Sequence, residues 1–504
     1  MGSEMCIRDR IHTVAIPWLH VIREHPAFLE KYANLLHRSR KTQRITDYLR
    51  STCRGLVKHA SQVIRCVQSN GRALFYSNRI TKKVDYLFVS HVLSLSQSAQ
   101  PCDFYFGDVP DKLAAQGFSV AIALINHTGH RGSLFVTQWK ESDVPRVILS
   151  HSLPLCDEVR LYQRLRKESN RLKAEAMRQS SSLEHMVYLR SAEEALSSGT
   201  LGAMRVASQI GHLVAHTYAK TVVLTHEGHA WERAVIATAR RVNPSVRCIG
   251  YQHAAVFRLQ HALRRNLSSE YNPDQIVTAG IAGKKQLEGS PRLGKIPIRV
   301  LGSNRAICPK TEKPSFKKPI PKQRRKEYVC LVLPEGIPSE CNNLFNFSIA
   351  CSKALPNIRF IWRLHPIVDF QKLCYDNWQL RILPAGIRIS GESLDNDLAQ
   401  SNMVLYRGST AAVQAVAAGL RPIYLQLKNE MSIDPMHEMQ KHITYVKDVS
   451  GFSRAVNGST HSKSLKEKRS RLNVQRYSRT FFTKFKVATL ARIHSGAYDL
   501  DIRH

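Results

Sequence analysis

The segment "YRGSTAAVQAVAAGLRPIYL" (406–425) carries the pattern that decides the fold. It opens on the end of an apolar run of strand length, "NMVLYR" (402–407), and continues into an alanine-rich stretch with helical spacing, "TAAVQAVAAG" (410–419). It closes on "RPIYLQ" (421–426), which again has the length and composition of a strand. A strand, a helix and a second strand in this order predict a parallel α/β sheet.

The same alternation extends through most of the chain and predicts two sheets. The strands predicted for the second half of the chain are 328–334, 358–364, 387–390, 402–407 and 421–426. Those predicted for the first half are 84–92, 118–127, 146–150, 221–225, 246–252, 275–280 and 298–302. The fold class is therefore α/β with two Rossmann-like domains.

The segments around these strands differ in composition and suggest domain limits. Residues 1–80 are predicted to form a helical N-terminal extension, whose first ten residues, "MGSEMCIRDR", resemble a translated sequencing-adaptor tail. The first domain spans 81–307 and contains a helical insertion at 157–219. A lysine- and proline-rich linker (308–326) precedes the second domain at 327–450, and a basic helical tail fills 451–504.

The net charge restricts the class of partner. The 504 residues include 74 Lys+Arg against 39 Asp+Glu, a formal charge of +35. Such an excess favours anionic partners, which include nucleic acids, phosphorylated substrates and an acidic membrane surface.

Cysteine usage and hydropathy suggest the compartment. The eleven cysteines include no CxxC pair, so we expect reduced thiols in a cytoplasmic protein rather than disulfides or a structural zinc site. No apolar stretch approaches about 20 residues, and no transmembrane helix is expected.

The loop that begins "HEGHAWERA" (226–234) follows a predicted strand of the first half. Ligands of open α/β sheets bind outside the carboxyl ends of strands, so Glu227 is placed to act as a general base. A metal site would need the nearby histidines to converge, but "HEGH" lacks the i, i+4 pair of HExxH, and no metal is predicted. Gly228 suits a tight turn, while Trp231 and Glu232 are expected to pack and to favour the helix start.

A second loop of this half, "GYQHAAVFR" (250–258), also follows a strand. Tyr251, Gln252 and His253 could donate hydrogen bonds to a substrate. The alternative for the histidine is a buried packing role.

Three loops of the second half have features of a phosphate site. Glu335 and Gly336 follow the first strand, where Glu335 could bind a sugar hydroxyl. The remaining candidates lie in the loops that follow two later predicted strands of this half. They are Arg363, His365 and Pro366 in "WRLHP", and Arg407, Gly408, Ser409 and Thr410 in "YRGST". Free N–H groups at a helix start, hydroxyls and a cation together form an anion site. Neither a Walker A nor a GxGxxG motif occurs, which disfavours an ATPase or a nicotinamide enzyme.

Several of these motifs, in this order, resemble the GT-B glycosyltransferases of bacterial surface-carbohydrate (O-antigen and capsule) biosynthesis. The similar motifs are "EGHAWE" (227–232), "GYQH" (250–253), "NPDQIVTAG" (272–280), His365-Pro366, and "GST" (408–410) followed by "AGLRPIY". The resemblance covers roughly residues 84–450. The HP and Ser/Thr motifs are also similar to those of bacterial sialyl- and Kdo-transferases and of CDP-glycerol phosphotransferases.

This resemblance implies a donor nucleotide in the second domain, with His365 and Ser409 or Thr410 on its phosphate. It also implies an acidic base beside a glycine, which Glu227-Gly228 matches. The chain departs from the sialyltransferase pattern by having one acid before the glycine, preceded by His226, so Glu227 and a histidine are both candidates for the base.

The function expected from the sequence is a metal-independent glycosyltransferase that moves a sugar from a nucleotide-sugar to a surface polysaccharide or lipid-linked acceptor. No cofactor is expected beyond the donor substrate. The positive charge suits an anionic membrane surface, so the expected location is the cytoplasm, either free or peripheral on the inner membrane.

Three alternatives stay open at this stage. A CDP-polyol phosphotransferase and a non-catalytic scaffold would share the fold. A nucleic-acid-binding protein would explain the charge, but interleaved aromatic residues and a helix-turn-helix or RNA-binding signature are not found, so no nucleic-acid partner is expected.

Overall fold

The computed structural model describes residues 83–494 apart from 99, 129, 137–143, 179–187, 189–190, 193, 259, 261, 307–327, 367, 428–431 and 462–464. It also describes 74–76, residue 80 and a few positions between 53 and 64. Most of the predicted N-terminal extension and the predicted linker lie outside the described residues.

The first sheet has eight strands and is parallel except at one edge. Its strands are β1 (Leu74–Tyr76), β2 (Tyr86–Val92), β3 (Val120–Asn126), β4 (Arg146–Leu149), β5 (Thr221–Thr225), β6 (Arg247–Gln252), β7 (Gln275–Thr278) and β8 (Ile298–Val300). The spatial order is β1-β4-β3-β2-β5-β6-β7-β8, and only β1 pairs antiparallel, with β4.

The second sheet has six parallel strands. They are β9 (Tyr328–Leu333), β10 (Ile358–Trp362), β11 (Ile387–Ile389), β12 (Met403–Tyr406), β13 (Arg421–Leu425) and β14 (Thr444–Val446). Their order is β11-β10-β9-β12-β13-β14, which is the 3-2-1-4-5-6 order of a Rossmann fold. The first sheet repeats this order from β2 onward, so the predicted class of two Rossmann-like domains is confirmed.

Helices cover the faces of both sheets. The α-helices are α1 (Leu95–Ser98), α2 (Val109–Ala115), α3 (Ser133–Val136), α4 (Leu155–Arg178), α5 (Ser198–Thr217), α6 (Ala230–Val242), α7 (Ile281–Glu288), α8 (Pro338–Ala354), α9 (Phe370–Asp376), α10 (Leu394–Gln400), α11 (Thr410–Ala417), α12 (Val449–His461), α13 (Leu465–Arg479) and α14 (Ala488–His494). Helices α4 and α5 occupy the predicted insertion, and α5 packs along α6 as part of the layer over the first sheet.

Burial explains why these segments form strands. All seven residues of β2 are buried, as are all five of β5, because helices cover both faces of a parallel sheet. Two short strands, β1 and β14, were not predicted. Each has three residues, as do the predicted strands β8 and β11, so length alone does not account for the two that were missed.

The C-terminal tail returns to the first sheet after packing against the second. Thr483 N donates to Ala279 O at 3.0 Å, and Ser303 N donates to Thr483 O at 2.7 Å. Gly280 and Gly302 make room for this segment, since a Cβ at either position would lie within 2.5 Å of tail main-chain atoms. The tail therefore ties the two sheets together at the carboxyl ends of β7 and β8.

The strand order creates one switch point in each sheet, between β2 and β5 and between β9 and β12. Loops that follow those four strands diverge to opposite sides and leave a crevice between them. Glu227 follows β5, Glu335 follows β9, and Gly408 follows β12, so three of the predicted site segments lie at switch points. Within the described ranges, no helix has both the length and the apolar character required to cross a bilayer.

Candidate active site at the two switch points

The turn after β5 is organised by a single buried carboxylate. Glu232, in the first turn of α6, accepts hydrogen bonds from the main-chain N–H groups of Glu227, Gly228 and His229 at 2.8–2.9 Å. Gly228 has φ +83°, and a Cβ there would lie 2.2 Å from the Ala262 main chain. Both features confirm that Gly228 and Glu232 shape the strand-to-helix turn, as the sequence predicted.

Glu227 is held at this turn by two histidines. Its side chain is 2% exposed, with Oε2 3.1 Å from His229 Nε2 and Oε1 3.4 Å from His253 Nε2. Burial raises the pKa of the Glu227 carboxyl, but nearby positive charge and the hydrogen bond with His229 outweigh burial and hold the pKa well below its usual range. The carboxylate is therefore ionised near neutral pH.

His226 has a different environment from Glu227. It is fully buried, its Nδ1 lies 3.1 Å from Glu232 Oε2, and its ring fills the space beside Gly250, where a Cβ would approach it to 2.8 Å. Burial lowers the pKa of His226. The geometry is that of a packed interior residue, so the alternative of His226 as base receives no support from it.

The three residues predicted to bind substrate after β6 separate into two groups. Tyr251 is buried and donates its hydroxyl to Gly302 O at 2.8 Å, and the Gln252 amide donates to Ala254 O. Both side chains are thus used inside the first domain. Only His253 reaches Glu227, and its ring also contacts Tyr105 edge-on at 4.6 Å between centroids.

The structure adds a pair of histidines that the sequence analysis did not select. His91 Nε2 lies 2.8 Å from Thr225 Oγ1, and His91 Nδ1 lies 2.9 Å from the exposed His127 Nε2. The His91 ring also packs edge-on against Trp231 at 5.3 Å, which confirms the predicted packing role of Trp231. These histidines stand at the ends of β2 and β3, so the rule applied to Glu227 could have identified them.

In the second sheet, the loops after β9 and β12 meet. Glu335 Oε1 lies so close to Gly408 that a Cβ at position 408 would be 1.5 Å from it. Gly336 follows in the same loop and is buried. Gly408 therefore admits the end of the Glu335 side chain, which a methyl group at this position would displace.

Ser409 and Thr410 open α11 beside this contact. Both are nearly buried, and the Ser409 side chain makes no capping hydrogen bond to the helix. The first N–H groups of α11 consequently stand beside two hydroxyls at the carboxyl end of β12. This is the arrangement predicted for an anion site.

The two arginines predicted to bind phosphate are engaged within the second domain. Arg407 Nε lies 2.6 Å from Glu340 Oε2, and its Nη1 donates to Leu425 O at 2.9 Å. Arg363 Nη1 donates to Asp397 Oδ2 at 2.8 Å. Binding a phosphate through either residue would require breaking an existing ion pair, so these assignments stay predictions without support from the geometry.

His365 and Pro366 follow β10. Pro366 is exposed, whereas His365 is 8% exposed, and burial lowers the pKa of His365 to about 3. His365 is therefore neutral at physiological pH, and it can donate one hydrogen bond to a phosphate without carrying charge.

Arg305, which the sequence analysis did not select, carries a positive charge that acts on a histidine of each sheet. Burial lowers the pKa of both His253 and His365, and the positive charge of Arg305 lowers each of them further. Arg305 Nη1 is buried and has no hydrogen-bond partner among the described residues. The residue lies five positions after the end of β8, so the rule that ligands bind at the carboxyl ends of strands could have identified it.

Among the described residues, no group of three or more His, Cys, Asp or Glu side chains has the arrangement of a metal site.

Comparisons with known proteins give fold-level similarities of limited extent. No protein-family model matches the chain, and no curated protein matches it. The glycosyltransferase SnogD from Streptomyces nogalater is 12% identical, with 82% of this chain and 100% of SnogD covered and a TM-score of 0.46. A glycosyltransferase from Rickettsia africae is 13% identical, with 84% and 100% covered and a TM-score of 0.44. The UDP-GlcNAc 2-epimerase from Neisseria meningitidis is 12% identical, with 78% and 97% covered and a TM-score of 0.38. Similarity of this extent does not bear on the activity of the chain.

The first prediction concerns the turn carboxylate. Replacing Glu232 by alanine removes the acceptor of three main-chain N–H groups, of which two are buried and that of Gly228 is partly exposed, and should lower the free energy of unfolding by about 3 kcal/mol or more. Urea denaturation measures the change. The control is Glu288→Ala on α7, an exposed residue in a surface ion pair, for which we expect a change below about 0.5 kcal/mol. Equal effects of the two substitutions would contradict the assigned role.

The second prediction concerns the contact between Glu335 and Gly408. Gly408→Ala should lower the free energy of unfolding by about 1 kcal/mol, because the new methyl group displaces the flexible end of the Glu335 side chain. In a Glu335→Ala background the same substitution should cost much less. A double-mutant cycle followed by thermal unfolding measures the coupling. Gly391→Ala, where a Cβ would meet nothing within 4 Å, is the matched control. The same cost in both backgrounds would show that the contact is not formed.

Proposed function

We propose that the chain is a GT-B glycosyltransferase that moves a sugar from a nucleotide-sugar donor to the hydroxyl of a surface polysaccharide or lipid-linked acceptor in bacteria. The observation that carries this proposal is the position of Glu227 and of Gly408, which follow the switch-point strands β5 and β12 at their carboxyl ends. Each sheet therefore presents one candidate group where ligands of open α/β sheets bind, a base candidate in the first and an anion-site candidate in the second.

The ordered sequence motifs supply the second line of support. Glu227, Gly228 and the "GYQH" segment occur where the resembling glycosyltransferases have their acceptor-side motifs, and "GST" occurs where they have a phosphate-side motif. Glu232, inside "EGHAWE", forms the turn that holds Glu227 in place. A turn that fixes the position of the adjacent Glu227 carboxylate suits a catalytic base, which must lie within hydrogen-bond reach of the proton it accepts.

The proposed reaction is a direct displacement. The acceptor hydroxyl gives its proton to the Glu227 carboxylate while its oxygen forms a bond to the anomeric carbon. The bond from that carbon to the phosphate oxygen of the donor breaks, and the nucleotide leaves with the electron pair. The N-terminal N–H groups of α11, together with the Ser409 and Thr410 hydroxyls, bind the negative charge that develops on the phosphate.

Arg305 replaces Arg407 as the proposed cation of the site. Its buried, unpartnered Nη1 can pair with the leaving phosphate, whereas Arg407 is held by Glu340. His365 would donate to a phosphate oxygen, and Glu335 would accept from a hydroxyl of the donor. With the charge stabilised by these groups, no step requires a metal. The acceptor would be reached at the cytoplasmic face of the inner membrane.

The third prediction tests the base. Glu227→Gln keeps the size of the side chain but cannot accept the acceptor proton, and it should lower kcat by about 100-fold or more with little change in nucleotide affinity. The assay follows nucleotide release in the presence of acceptor. Glu270→Gln, a change on the surface of the same domain, is the control. Full activity of Glu227→Gln would remove the assigned base.

The products of that assay separate the same-fold alternatives. Release of a nucleoside monophosphate with a phosphorylated polyol on the acceptor would identify a CDP-polyol phosphotransferase. Absence of turnover with every donor, despite nucleotide binding, would favour a scaffold.

The fourth prediction tests Arg305. A thermal-shift screen with UDP, GDP, CMP and CDP should raise the melting temperature for at least one nucleotide. Arg305→Gln should weaken binding of that nucleotide about tenfold, because one charge-assisted hydrogen bond to phosphate is lost. Arg305→Lys should recover part of the affinity. Unchanged affinity in Arg305→Gln would place the residue outside the site, and Arg258→Gln is a control for a general charge effect, since Arg258 is exposed.

A further inference from the structure

A cavity lies at the C-terminal end of α11, the helix that begins at Thr410. Helix α11 has eight residues, so its C-terminal end lies about 12 Å from the candidate phosphate site. The cavity there has a volume of about 200 Å³. Its apolar lining comes from Val416, Leu420, Pro422 and Leu472, and its polar lining includes Arg471 and Gln475.

Helix α13 is fixed over this cavity by hydrogen bonds to α11. Gln475 Nε2 and Arg479 Nε both donate to Ala417 O, at 3.3 and 3.2 Å. This carbonyl belongs to the last turn of α11, where carbonyl groups have no partner within the helix. Val474 of α13 is buried against the same domain. The two helices that line the cavity, α11 and α13, are therefore held together by these hydrogen bonds.

The outer face of α13 is cationic. Arg469, Leu472 and Arg476 are spaced i, i+3, i+7 and so share one face, which we call the α13 face. All three are exposed, and Leu472 is also part of the cavity lining. No ion pair within the described residues engages Arg469 or Arg476. The carboxylate of Glu438, which approaches α13, accepts a hydrogen bond from Tyr477.

An aliphatic cavity beside exposed arginines has the chemistry of a site for an amphiphilic anion. For comparison, an apolar protein cavity of about 150 Å³ binds benzene, so this one has room for an apolar group of larger size. Single-stranded nucleic acids bind where cations are combined with aromatic stacking platforms, whereas this lining is aliphatic. Anionic lipids attract arginine clusters and also supply an apolar chain.

We propose that the α13 face and its cavity bind the surface of an anionic phospholipid membrane. Arg469 and Arg476 pair with lipid phosphates, and Leu472 with the cavity receives an apolar part of a lipid. The purpose of this contact rests on the proposed function, since it would hold the enzyme beside a lipid-linked acceptor. It would also leave the other end of α11 free for the donor nucleotide.

The test uses the full chain and vesicles of phosphatidylcholine with or without phosphatidylglycerol. We expect co-sedimentation with the anionic vesicles only, and weaker binding at higher salt. The double variant Arg469→Glu/Arg476→Glu should lower the partition coefficient by more than about tenfold. Leu472→Gln should also lower it, although it leaves the charge unchanged. The matched control is Arg164→Glu/Arg166→Glu on α4, which reverses two exposed arginines elsewhere.

Three results would overturn the proposal. These are equal binding to neutral vesicles, equal loss in the α4 control, and displacement of the vesicles by a single-stranded oligonucleotide, which would indicate a nucleic-acid surface instead. Nucleotide release with a soluble acceptor should be unchanged in the α13 variants. Loss of vesicle binding with retained turnover separates a failure of this inference from a failure of the proposed function.

Discussion

Three main-chain N–H groups after β5, two of them buried, need an acceptor, and the carboxylate of Glu232 supplies it. A buried N–H group that lacks a partner costs free energy, so the turn depends on this one side chain. This turn also determines where the Glu227 carboxylate lies, because the main-chain N–H of Glu227 is the first of the three donors. Gly228 completes the arrangement, since its positive φ and the adjacent Ala262 main chain leave no room for a side chain.

A glycine that allows a close approach also follows a switch-point strand of the second sheet. There Gly408 admits the Glu335 carboxylate against the main chain at the start of α11. In each domain, a glycine after a switch-point strand allows a close approach, of the Ala262 main chain at Gly228 and of the Glu335 carboxylate at Gly408. The two domains thus share a topology and a glycine at the same kind of position, but the group that approaches the glycine differs. The first loop presents a base candidate, and the second presents helix N–H groups suited to an anion.

Most strands and the division of the chain into two sheets were predictable from the sequence, while the partners of individual side chains were not. Long buried strands such as β2 and β5 were located within two residues of their ends, because runs of apolar β-branched residues reflect burial on both faces. The pattern could not distinguish Tyr251, whose hydroxyl is used by Gly302, from His253, which reaches Glu227. Tyr251 and His253 are two positions apart, so the alternation of side chains along a strand does not separate them, and only the fold assigns each a neighbour.

The C-terminal tail explains why Arg305 escaped the sequence analysis. Arg305 lies five residues past β8, near the end of the first predicted domain (81–307), and none of the motifs taken from the sequence includes it. In the fold, the segment that precedes it is fixed. Ser303 N donates to Thr483 O, and Lys486 N donates to Leu301 O, so the tail holds the end of β8 by main-chain bonds. These bonds join residues about 180 positions apart and depend on main-chain atoms, which leave no pattern in side-chain composition. The position of the segment that leads to Arg305 is therefore a consequence of the tail crossing, and Gly280 and Gly302 are the residues that permit that crossing.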